Sequence, residues 1–72
     1  MNLQNQKNVI GFEIFQARKA RGLKQSDVAK IAGIGKNAIS EIEKGKGNPT
    51  IETLIKIFKV VGLRIVMIEK GD

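Results

Sequence analysis

Apolar residues recur at helical spacing in four stretches of the chain, and glycine or proline interrupts the pattern between them. In the first stretch they repeat at i, i+4 and i+7, which predicts a helix over about 9–21. Two shorter amphipathic stretches predict helices over about 25–32 and 36–44. A fourth helix is expected between the N-cap Thr50 and Gly62, where left-handed backbone is easily adopted.

The two ends of the chain have a different pattern. Residues 1–8 are polar and predict a flexible arm before a helical domain over 9–62. Residues 63–70 are mostly β-branched and apolar and are flanked by glycines, which predicts a dimerisation strand. A lone strand leaves its backbone groups unpaired, so we expect two copies to pair antiparallel near Val66. The predicted dimer interface consists of Leu63, Ile65, Val66, Met67 and Ile68.

Composition narrows the class of protein. Seventy-two residues allow one small domain, and the chain has no cysteine and no histidine. These absences remove the usual metal ligands, general base and activated nucleophiles, so we expect no enzyme, no metal and no cofactor. Glu41 and Glu43 do not form a catalytic pair either, because they diverge by about 200° around their helix.

Charge and hydropathy indicate the kind of partner and the compartment. Thirteen basic and seven acidic residues give a net charge of +6, which favours a polyanion, with nucleic acid ahead of a membrane surface. No apolar run is long enough to span a membrane, and residues 1–7 have no apolar segment typical of a secretion signal. The expected location is cytoplasmic.

The second and third predicted helices form one unit. They are joined by three residues that include Gly33 and Gly35, and the later helix has an exposed polar face. This spacing is typical of a helix-turn-helix, in which the second helix fits the major groove of DNA.

Two segments carry a resemblance to a known family. The run RGLKQSDVA over 21–29, with Arg18 before it, is similar to the opening of the Cro/repressor, or XRE, helix-turn-helix family. The run over 33–54 continues that resemblance in register, so that it covers about residues 10–62. It implies a mainly α, four-helix repressor-like domain that binds a palindromic operator in double-stranded DNA as a homodimer. The short length and the predicted C-terminal strand also resemble HipB-type antitoxins, which would add a kinase-like toxin as partner.

The candidate DNA-binding residues lie on or beside the third helix. Lys36 and Asn37 occupy its first turn and have the donors needed for guanine and adenine edges, or they only contact phosphate. Glu41 either accepts from cytosine N4 or disfavours wrong sequences. Gln25 matches a family position that contacts phosphate and braces the third helix. The predicted set is Gln25, Lys36, Asn37, Ser40, Glu41, Lys44, Lys46 and Asn48.

Two further pairs have other expected roles. The resemblance pairs Arg18 with Glu43 as a structural lock between the first and third helices. Phe12 and Phe15 lie off the apolar stripe of the first helix, and we expect them to pack at a subunit contact rather than to stack on bases.

Three functions stay open on the sequence. The first is a repressor, including the antitoxin of a toxin–antitoxin pair that regulates its own operon. The second is a phage-type or restriction–modification controller. The third is a protein-interaction module that has lost DNA binding, against which the basic charge and the exposed polar face of the third helix count.

Overall fold

The computed structural model describes residues 2–69 and contains four helices. They are α1 (Leu3–Ala20), α2 (Gln25–Ala32), α3 (Lys36–Glu43) and α4 (Ile51–Val61). Both α1 and α2 pack against α3 and α4, so the core lies where the four helices meet. Each helix contributes one fully buried side chain: Ile14, Val28, Ile39 and Ile57. The prediction of a mainly α fold with four helices is confirmed.

Close packing of α1 on α3 depends on a glycine. Gly11 is buried in α1, and a Cβ atom at this position would collide with the carbonyl oxygens of Ile42 and Glu43. Those two oxygens belong to the backbone, which cannot rotate away as a side chain can. Gly11 therefore sets the distance between α1 and the C-terminal end of α3.

The N-terminal end of the chain differs from the prediction. A flexible arm over 1–8 is wrong for residues 3–8, which form the first turns of α1; Met1 lies outside the described residues. The side chain of Asn2 caps this helix by accepting a hydrogen bond from the Asn5 amide at 2.8 Å. Further along, Gln4 Nε2 donates to the Gly45 carbonyl at 2.7 Å. Hydrophobic periodicity does not detect a helix that begins with polar contacts.

The C-terminal segment also differs from the prediction. Residues 63–69 form no strand and have no regular secondary structure, while Lys70 lies outside the described residues. Across the described chain, the backbone of 64–69 makes no hydrogen bond to other backbone groups. The physical reason is that the rest of the described chain is helices and short connections, which offer no sheet edge to pair with.

Candidate nucleic-acid interface

The turn between α2 and α3 sets the position of α3. Gly33 ends α2 in the left-handed region, with φ 71°, and the Ile34 amide donates to the Ala29 carbonyl at 2.9 Å. At the start of α2, Asp27 Oδ2 accepts from the Lys24 amide at 2.8 Å. That bond stabilises the N-terminus of α2 although position 24 has no hydroxyl side chain. The two helices are thus fixed as one unit.

The third helix has a buried face and an exposed face. Ile39 and Ile42 point into the core, at 0% and 7% exposure. The predicted DNA-contacting residues lie on the other side: Lys36, Asn37 and Glu41 are exposed, and Ser40 is half-buried. Ala38, although apolar, is exposed as well. Its methyl group, at the edge of this face, is a candidate for contact with a thymine methyl. A pattern of polar residues does not indicate such an apolar contact.

The loop that follows α3 continues the same surface. Lys44, Lys46 and Asn48 are exposed, and the Lys46 amide donates to the Glu41 carbonyl at 2.8 Å. An open groove of about 410 Å³ brings together Ala38, Glu41, Lys46 and Asn48 along one edge. This surface therefore carries three lysines, Lys36, Lys44 and Lys46, and one glutamate, Glu41, so its net charge is positive.

Arg18 and Glu43 meet as a buried pair. Arg18 Nε donates to Glu43 Oε2 at 2.6 Å and Nη2 donates to Glu43 Oε1 at 2.9 Å. The third donor, Nη1, reaches the Leu23 carbonyl at 2.8 Å. The hydrogen bond to Glu43, together with the charge of that carboxylate, raises the pKa of Arg18 above its ordinary value although burial opposes this. The pair links α1 to the last residue of α3.

Gln25 joins this pair from the start of α2. Its Nε2 donates to Glu43 Oε1 at 3.1 Å, so Glu43 receives hydrogen bonds from two other elements. This bond orients the side chain of Gln25, which stays half-buried at the surface. Gln25 is thereby placed beside the α3 residues rather than free in solvent.

The two phenylalanines of α1 lie apart from this surface. Phe12 is 54% exposed, and Phe15, nearer the buried residues of the helix, is 39% exposed. The guanidinium carbon of Arg18 lies 5.5 Å from the centre of the Phe15 ring, within the range of a cation–π contact. Since α1 turns its buried face toward α3, Phe12 is not brought together with the candidate DNA-binding residues.

Comparison with known proteins identifies the family. The helix-turn-helix family model matches residues 14–71, most of the chain. This chain belongs to the helix-turn-helix family. The transcriptional regulator PuuR of Escherichia coli is 40% identical over 55 residues, which are 76% of this chain and 30% of PuuR. The cryptic phage CTXphi transcriptional repressor RstR of Vibrio cholerae is 40% identical over 53 residues, 74% of this chain and 48% of RstR.

A shorter relative is matched over most of its length. An uncharacterized HTH-type transcriptional regulator of Methanocaldococcus jannaschii is 40% identical over 48 residues, 67% of this chain and 73% of that protein. By contrast, this chain spans less than a third of PuuR. The family match makes residues 14–71 a helix-turn-helix domain, and the relatives named here are transcriptional regulators, one of them a repressor. Within residues 2–69, no helix is long and apolar enough to cross a membrane.

Proposed function

We propose that this helix-turn-helix protein is a repressor that binds a palindromic operator as a homodimer and inserts α3 into the major groove. The observation that supports this is the exposed face of α3, which carries Lys36, Asn37 and Glu41. That face is held on the domain by the buried pair of Arg18 and Glu43. A rigid helix with an unshielded polar face suits a groove about 12 Å wide.

The proposed roles follow from the chemistry of each side chain. Asn37 pairs with adenine N6 and N7, and Lys36 donates to guanine O6 or N7. Glu41 selects between sequences, by accepting from cytosine N4 or by repelling acceptor edges. Ser40 sits between these positions and donates to a base or a phosphate.

A second group would contact the DNA backbone. Lys44 and Lys46 supply charge beside the groove, and Asn48 supplies amide donors on the same loop. Gln25, which donates to Glu43, would contact a phosphate at the start of α2. These contacts position the protein without reading sequence, so they should weaken as salt rises.

The second copy is proposed to bind at the C-terminal segment. Val66, Met67 and Ile68 are 67%, 90% and 86% exposed. A run of exposed apolar side chains is unfavourable in water and is typical of a protein–protein interface. The exposed Ile55 of α4 and Ile65 line one groove of about 280 Å³ beside this segment. Pairing the two segments antiparallel would bury these side chains and satisfy the unpaired backbone. Two copies would place their α3 helices about 34–36 Å apart, one turn of DNA.

Repression is favoured over the other readings by the relatives. One of them is named a phage transcriptional repressor, so a phage-type repressor is included in the proposal. The antitoxin reading rests on the short length and the predicted C-terminal strand, and that strand serves equally to pair two copies without a toxin. A toxin partner is therefore not part of the proposal.

The test begins with selection of bound sequences from a pool of random DNA duplexes. Lys36→Ala and Asn37→Ala should each weaken binding to the selected site by about 1–3 kcal/mol, because each removes a base contact. Binding to unrelated duplex should change less. Lys19→Ala and Asn5→Ala on α1 are matched controls, since both residues are exposed on a helix outside the helix-turn-helix unit.

The outcome separates the alternatives. Equal affinity of both α3 variants and wild type for the selected site would refute the major-groove assignment. If wild type binds no duplex DNA at low salt, the protein is an interaction module instead.

A further inference from the structure

The first two turns of α1 contact the loop that follows α3. Gln4 Nε2 donates both to the Gly45 carbonyl at 2.7 Å and to Asn8 Oδ1 at 2.9 Å. One turn later, Lys7 Nζ donates to Asn48 Oδ1. The bonds from Gln4 to Gly45 and from Lys7 to Asn48 each span 41 positions of the sequence, so these two are tertiary contacts and not local helix pairs.

The loop is shaped for this contact. Gly45 is buried and has φ 76°, and a Cβ atom there would collide with Asn8 Oδ1. Gly47 also has φ 76°, so the loop contains two left-handed residues that rarely tolerate a side chain. Below the loop, only about 20 Å³ remains open between Lys7, Ile10 and the loop residues. The loop therefore lies closely against α1.

The charge of Lys7 lies beside the proposed backbone contacts. Its ammonium group uses one hydrogen on Asn48, which leaves two donors for another acceptor. Lys44 and Lys46 flank the same loop, and no acidic residue lies between 44 and 49. A phosphate that approaches the Asn48 amide would meet this third lysine as well.

We propose that Lys7 is a further DNA-backbone contact and that Gln4 is a positioning residue that holds the Gly45–Asn48 loop for phosphate binding. The inference rests on the proposed DNA-binding function and extends the interface to a helix outside the helix-turn-helix unit. Gln4 acts through the loop, and Lys7 acts through its own charge.

The positioning role is tested in the free protein, without DNA. Amide hydrogen exchange is measured at Gly45 and Lys46, whose amides donate to Ile42 and Glu41 carbonyls. Gln4→Ala should accelerate exchange there by about two- to tenfold, the factor expected for loss of one hydrogen bond. Gln6→Ala is the matched control, because Gln6 is an exposed glutamine of the same helix. Equal exchange in the two variants would overturn the role of Gln4.

The phosphate contact is tested by salt titration on a random-sequence duplex. Lys7→Ala should reduce the slope of log affinity against log salt by about 0.9, the value for one phosphate contact. Lys7→Gln should reduce it equally, since it keeps a donor for Asn48 but loses the charge. Lys19→Ala, an exposed lysine at the other end of α1, should leave the slope unchanged.

The two possible failures give different results. An unchanged slope in Lys7→Ala, with wild type still binding DNA, overturns the contact and leaves the proposed function intact. A wild type that shows no salt-dependent binding refutes the proposed function and the Lys7 contact together. The hydrogen-exchange test of Gln4 is made without DNA, so its result does not depend on either of these outcomes.

Discussion

Replacing Arg18 with alanine removes the link between α1 and α3. The Arg18 and Glu43 side chains are only 8% and 5% exposed, and two hydrogen bonds join them. In Arg18→Ala, Glu43 Oε2 loses its donor, and Oε1 keeps only the Gln25 amide at 3.1 Å. The Leu23 carbonyl also loses its bond to Nη1. A carboxylate would then be left nearly buried without a compensating charge.

The expected loss is large for a domain of this size. Breaking a buried ion pair by removing one partner costs about 3–5 kcal/mol, whereas an exposed charge contributes under about 1 kcal/mol. A chain of this length has a total stability of roughly 4–11 kcal/mol. Since each kcal/mol shifts the midpoint of a small domain by about 4–8 °C, Arg18→Ala should melt at least about 12 °C below wild type. Lys19→Ala, at the neighbouring exposed position, should melt within a few degrees of it.

Thermal and urea unfolding followed by circular dichroism measure this difference. If Arg18→Ala is unfolded at the outset, Arg18→Lys provides a folded comparison, since it keeps the charge but loses the two-point geometry. The variants Arg18→Ala, Glu43→Ala and the double variant give the coupling between the two side chains. Equal midpoints for Arg18→Ala and Lys19→Ala would refute the proposed lock.

The pKa of Arg18 adds a pH test. Because the bond to Glu43 raises this pKa in the folded state, the stabilisation is fully present below the unfolded pKa. It is lost only as pH rises through the folded pKa, far into the alkaline range. The stability gap between wild type and Arg18→Ala should therefore stay constant from about pH 7 to about pH 10.

Two further substitutions test the packing and the assembly. Gly11→Ala should lower stability by about 1–3 kcal/mol in urea unfolding, because its methyl group meets backbone carbonyls of α3; an unchanged midpoint would show that the helices separate freely. Val66→Pro should convert a dimer into a monomer in sedimentation at micromolar concentration, because proline removes a backbone donor from the paired segments. A monomeric wild type, or a dimeric proline variant, would contradict pairing through this segment.

The central part of the chain was predictable because its signals are local. The buried Ile14, Val28, Ile39 and Ile57 occupy helical positions, and a three-residue turn containing Gly33 and Gly35 separates α2 from α3. Family resemblance added the pairing of Arg18 with Glu43, two residues 25 positions apart. Hydrophobic periodicity alone does not identify such a pair, because a buried charge interrupts the pattern.

Polar tertiary contacts explain why the hydrophobic pattern does not predict the first turns of α1. The residues Gln4, Lys7 and Asn8 repeat at helical spacing, but hydrophobic periodicity reports only apolar side chains. Their partners, Gly45 and Asn48, follow α3 in the sequence, and nothing local to residues 1–8 indicates them. Ala38 is apolar but exposed, because its small methyl group has little to gain from burial.

The C-terminal segment shows a different limit of the sequence pattern. Residues 63–68 have the β-branched, apolar composition of a strand, and that preference concerns side-chain packing on a paired backbone. Strand formation needs a second strand, and the four helices have no free backbone to offer one, since their own N–H and C=O groups are paired internally. The residue pattern thus favours a strand, but a single chain of this fold offers no partner strand with which it could pair. A second copy brings the same segment with the same unpaired groups, and a two-fold axis near Val66 would let each copy supply the other.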